Sequence, residues 1–100
     1  MTKNGMRLKS QVCQAQVIIV KSSAALADLR CGGQLMVPLD QEHAIVGAPD
    51  PSLAQGAAMG KRYVDETGGE VLVTKAGEGT LSVGTTPLAL KEAKPLPASD

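Results

Sequence analysis

The chain has no tryptophan and no phenylalanine, and Tyr63 is its only aromatic residue. A single-strand nucleic-acid binder needs aromatic platforms, and any nucleic-acid binder shows a basic stripe. Ten basic and ten acidic residues cancel, with five against four through Asp50 and five against six after it. The expectation is therefore no nucleic-acid partner. Long hydrophobic runs are missing too. Lys3, Arg7 and Lys9 are followed only by Val17–Val20, far short of a leader or a membrane span, so the expectation is a cytoplasmic protein with no membrane partner. There is one histidine, His43, and its neighbours Asp40, Gln41 and Glu42 suit a solvated loop better than a catalytic base. No nucleophile–histidine–carboxylate set can be assembled around it, so no catalytic residue is assigned and the chain is read as not an enzyme.

What remains is an aliphatic core in a chain of 100 residues, enough for one domain or two very small lobes. Valine, isoleucine, leucine, alanine and four methionines must supply the buried area. Such a chain gains from a staple or a partner subunit, and a homodimer is compatible with that need.

The pattern is that of an all-β chain of short strands. Arg7 to Lys21 favours strand through its β-branched residues, and Ser22 to Asp28 favours a loop over a helical turn. Leu29 to Val37 reads as a tight turn at Gly32-Gly33 leading into a short strand. A linker over 38–62 carries three prolines, a candidate edge strand at His43 to Val46, and a two-turn helix from Ser52 to Met59. Asp50 caps that helix, Pro51 opens it and Gly60 stops it. Val71 to Lys75 and Thr80 to Val83 read as strands joined by a hairpin turn at 76–79, and Leu88 and Leu90 alternate in the next strand. Residues 92–100 read as an extended tail.

Two units of this pattern, about 7–37 and 63–91, run in parallel. Val12, Val17, Lys21, Leu29 and Gly32 of the first match Val64, Val71, Lys75, Leu81 and Gly84 of the second. A fortuitous likeness of two valine-rich hairpins would produce the same identities, and both readings stand at this point.

The second unit, Tyr63-Val64-Asp65-Glu66-Thr67-Gly68-Gly69 with its valine strand and Ala76-Gly77-Glu78-Gly79-Thr80-Leu81, resembles desulforedoxin and the N-terminal domain of desulfoferrodoxin. The first unit is similar through Ser10-Gln11-Val12-Cys13 and Leu29-Arg30-Cys31-Gly32-Gly33-Gln34-Leu35-Met36. In that family four cysteine thiolates hold one iron, and two domains pair as a homodimer. The resemblance implies an internal pseudo-dimer whose ligand positions carry Ser10, Cys13, Cys31 and Gly32 in one unit. In the other they carry Asp65, Gly68, Val83 and Gly84. The iron centre is therefore not expected to carry over.

Three fates remain open for Cys13 and Cys31. They are buried thiols acting as small hydrophobes, a reversible disulfide, or half of a zinc or iron site completed by His43, Asp40, Glu42 or a second chain. Gly32, Gly33 and Gly84 are read as structural turns. With catalytic groups missing, the favoured function is a non-catalytic accessory protein, a small subunit or stabilising partner of a larger enzyme. The alternative is a metal-binding or thiol-redox protein using Cys13 and Cys31.

Overall fold

The computed structural model describes residues 3–41, 45 and 47–91. Of the candidate edge strand at 43–46 only Ile45 is described, and the tail at 92–100 lies outside the described residues.

The fold is mostly β, in two antiparallel sheets, with helical geometry confined to two short 3₁₀ turns among the described residues. The centre of the larger sheet is set by the period-2 pattern of two valine-rich strands. In β2 (Gln16–Lys21) Val17 and Ile19 turn inward, and in β7 (Glu70–Lys75) Val71 and Val73 do the same. The two strands pair with Val17 opposite Val73 and Ile19 opposite Val71, so all four pack in one dry layer. Each fully buried aliphatic side chain of this kind contributes roughly 1.5–3 kcal/mol. β1 (Arg7–Lys9) and β5 (Val37–Pro38) extend the sheet beyond β2, while β6 (Arg62–Val64) and β10 (Ala89–Leu90) extend it beyond β7. The smaller sheet is centred on β3 (Leu29–Cys31) and β8 (Leu81–Val83), flanked by β4 (Gln34–Leu35) and β9 (Thr86–Pro87).

The strand order thus reads outward from each centre as β2-β1-β5 and β7-β6-β10, and as β3-β4 and β8-β9. Hydrogen bonds repeat in pairs along with it. Ile19 N–H donates to Met6 at 2.8 Å and Val73 N–H to Lys61 at 3.0 Å. Met36 donates to Leu29 and Leu88 to Leu81, both at 2.9 Å. A matched pair of bonds also crosses between the halves, Gly32 N–H to Thr80 at 3.0 Å and Gly84 N–H to Asp28 at 3.2 Å.

These pairs correct the alignment read from sequence. β1 matches β6, so Val64 stands where Lys9 does, and Val12 lies in the loop beyond. That loop closes with Ser10 N–H on the Ala15 carbonyl in one half and Asp65 N–H on the Gly69 carbonyl in the other, one residue shorter. Counted from the matched Ser10 and Asp65, Val12 and Cys13 stand where Thr67 and Gly68 do: the amides two and three residues on turn back to Ser10 in one half and to Asp65 in the other.

Other expectations shift for plain reasons. β7 and β8 belong to different sheets, so 76–79 is a crossover and not a hairpin; Ala57 bridges to Gly77 instead. Ala24–Asp28 forms a 3₁₀ turn where a loop was expected, with Leu26 buried under it. Asp50 does cap its turn, accepting the Ser52 amide at 2.9 Å, but the turn ends at Leu53. Gly56 at φ +94° takes the chain out of helical geometry three residues later. Met36 is buried in the core, whereas Leu90 is exposed because β10 closes the sheet's edge.

Candidate thiol site

Strand alternation brings the two sulfurs together. Leu29 and Cys31 face inward from β3 with Arg30 between them facing out, and Cys31 has no exposed surface. Cys13 is carried by the loop after β1. Ser10 shapes that loop: its Oγ accepts the amides of Val12 and Cys13, each at 3.1 Å. The result places Cys13 Sγ 3.6 Å from Cys31 Sγ, both reduced.

The lid over this pair comes from the other half of the chain. Gly79 sits so close that a Cβ there would stand 2.7 Å from Cys31 Sγ and 2.8 Å from the Gly32 nitrogen. Gly77 likewise lies against the Ala15 backbone, where a Cβ would come within 2.5 Å of its nitrogen. Only glycine allows the crossover to lie on the thiol loop this closely. At the outer side, Cys13 opens to a shallow cleft lined by Val12, Gln14, Ile45, Ala76, Gly77 and Glu78.

The two thiols are electrostatically unlike. Burial pushes Cys13 up, but hydrogen bonds from the Ser10 hydroxyl, the Ala15 and Gly79 backbone and the Cys31 thiol outweigh it, leaving Cys13 below its ordinary value. Burial pushes Cys31 up to about 12; Ser10 offsets this in part, and a negative charge on Cys13 adds to it. Of the pair, Cys13 is therefore the thiol that ionises more readily.

A four-thiolate iron or zinc centre does not fit these residues. The Ser10 oxygen already serves two amides, and Gly32 offers no side chain. A Cβ on Gly32 would meet Val12 Cγ2 at 2.8 Å and Pro49 Cβ at 2.9 Å, so the space for a fourth donor is filled. Among the described residues no three His, Cys, Asp or Glu side chains gather as a metal group. His43 and Glu42 lie outside the described residues, and Asp40 lies on the exposed turn after β5. A site shared with a second chain would require Cys31 to be uncovered first.

Gly32, Gly33 and Gly84 are turns as read from sequence, at φ +65°, +93° and +59°. Gly32 and Gly84 are the matched pair, each ending the inner strand of its half. In the second half Val83 stands where Cys31 does, and polar bonding replaces sulfur. Asp65 Oδ2 accepts the Ser23 hydroxyl at 2.7 Å, and Oδ1 accepts the amide and hydroxyl of Thr67. Glu70 is buried and takes Lys91 at 2.8 Å and Arg62 at 3.2 Å. The sequence reading missed Gly79 and Ala15 as parts of the thiol site, because a Gly-x-Gly run signals a turn and says nothing of what lies beneath it.

The class defined by fold and site is a small β domain of two antiparallel sheets with a buried, asymmetric dithiol. No family model, curated protein or solved structure matches the chain. No helix among the described residues is long and apolar enough to cross a membrane.

Proposed function

We propose that this chain is a thiol-redox protein in which Cys13 and Cys31 cycle between dithiol and disulfide. It is built as an internal pseudo-dimer of two desulforedoxin-like units, one keeping a sulfur pair and the other none. The pseudo-dimer draws support from the mirrored strand order and the paired hydrogen bonds. The redox reading rests on one observation, the 3.6 Å contact between the two sulfurs. A disulfide needs about 2.05 Å, so the sulfurs must close by about 1.5 Å, within the reach of χ1 rotations and a small loop shift. The protein acts stoichiometrically, as a carrier or switch of two electrons, and needs no further catalytic group.

The test is a thiol titration with intact mass before and after mild oxidation. The expected result is two thiols falling to none, a mass loss of two hydrogens, and full reversal by a dithiol reductant. Two thiols that persist through oxidation, or a zinc or iron ion retained in native mass spectrometry and released only when both cysteines are replaced, would overturn it.

A second reading, a non-catalytic accessory subunit of a larger enzyme, draws on the exposed outer strands. β4, β9 and β10 have exposed side chains, with Leu35 and Leu90 more than two-fifths exposed. Such edges offer backbone groups and aliphatic surface to a partner strand. Affinity capture from the native cell tests it: recovery of one stoichiometric enzyme partner supports it, and recovery of the bait alone counts against it.

A further inference from the structure

Resting on the redox reading, we infer that Cys13 is the attacking thiol and Cys31 the resolving thiol, and that the oxidant is a small neutral or cationic disulfide.

Access decides the order. Cys13 is 9% exposed and borders the cleft of Val12, Gln14, Ile45 and 76–78, whereas Cys31 is fully covered by Gly79 and Gly32. An incoming disulfide reaches only the first sulfur. The surroundings suit a thiolate there, since Ser10 and the Ala15 and Gly79 backbone converge on Cys13. Cys31 already touches Cys13 from behind, at 3.6 Å.

The exchange balances in two steps. Cys13 thiolate attacks one sulfur of the disulfide RSSR, breaks its S–S bond and expels RS⁻, which takes up a proton. Cys31 then gives its proton to the second departing thiolate as its sulfur attacks Cys13 and expels RS⁻. Two protein thiols and RSSR become one protein disulfide and two RSH, with two electrons passing to the reagent.

Size and charge of the reagent follow from the cleft. Cys13 is only 9% exposed, so a folded protein's disulfide cannot be brought into line with its sulfur. Glu78 is the one charged residue among the described residues lining the cleft. An anionic disulfide is therefore slowed relative to a neutral or cationic one, by about two- to five-fold at low salt.

The experiment uses the full chain and its Cys31→Ser and Cys13→Ser variants with hydroxyethyl disulfide, cystamine and glutathione disulfide. Cys31→Ser is expected to accumulate an adduct of one reagent half on Cys13. Cys13→Ser is expected to stay unmodified while native and to react only on unfolding. Peptide mapping of the wild type, acid-quenched early in oxidation, should find the mixed disulfide at Cys13 and keeps the test independent of variant folding. Cystamine should outpace glutathione disulfide, and Glu78→Gln should narrow the gap. If the wild type never forms its internal disulfide, the redox reading itself falls. If it does, but the early adduct maps to Cys31, only the assigned order falls. Equal rates for the three reagents at low salt would remove the assignment of the reagent.

Discussion

Gly79, in the crossover before β8, lies against Cys31 at the end of β3, in the other half of the chain: a methyl group on Gly79 would lie 2.7 Å from the Cys31 sulfur. The same methyl would press on the Gly32 backbone, which cannot swing aside as a side chain can. Gly79→Ala should cost about 1–3 kcal/mol of stability, read by chemical denaturation. Adding Cys31→Ala should recover part of the loss, because one of the two obstructions is removed. A Gly79→Ala protein as stable as the wild type would mean the crossover does not lie against the sulfur pair.

Ser10 holds the thiol loop by accepting two amides, and its hydroxyl favours the Cys13 thiolate. Ser10→Ala leaves the Val12 and Cys13 amides without their acceptor, at a cost of about 1–3 kcal/mol. It also removes a hydrogen bond that favours the Cys13 thiolate. The pH midpoint for alkylation of Cys13 should rise, with less reaction at neutral pH. A stopped-flow pH profile of alkylation separates this from simple loosening of the fold, which would speed reaction at every pH.

Acid should destabilise the protein through Glu70 and Asp65. The hydrogen bond and charge of Lys91, with Arg62 beside it, hold Glu70 below its ordinary value. Partial burial raises Asp65, but hydrogen bonds from Thr67, Ser23 and Gly69 outweigh it and keep it low as well. A carboxylate lowered on folding stabilises the native state above its unfolded value, and that contribution is lost as pH falls through the folded one. The denaturation midpoint should therefore hold steady above the carboxylate range and drop below about pH 4.5, the ordinary glutamate value. Glu70→Gln should flatten part of that drop.

The strand pattern was legible because alternation at Val17, Ile19, Val71 and Val73 leaves one buried face and one exposed. The sulfur pair was legible only as a likeness, since nothing in local sequence says that Cys13 and Cys31 meet. Three things were hidden. The switch between sheets at 76–80 looks like a hairpin because Gly-rich turns and crossovers share the same residues. The short turn at Pro51–Leu53 looks like a helix because caps announce where helices begin, not how far they run. The burial of Glu70 depends on Lys91, twenty-one residues away, and on Arg62 across β6.

The central pairing of β2 with β7 should dominate stability, because it joins the two halves at their largest shared surface. Ile19 is 1% exposed and lies opposite Val71, while Ile45 is half exposed where it lines the cleft. Ile19→Ala should cost about 2–5 kcal/mol, the range for emptying a packed aliphatic site. Ile45→Ala should cost less than about 0.5 kcal/mol. Because the layer under Ile19 spans both halves, the unfolding of Ile19→Ala should remain one cooperative transition with a lower midpoint. Two separate transitions, one for each half, would show instead that the halves carry independent cores and that β2 and β7 merely abut.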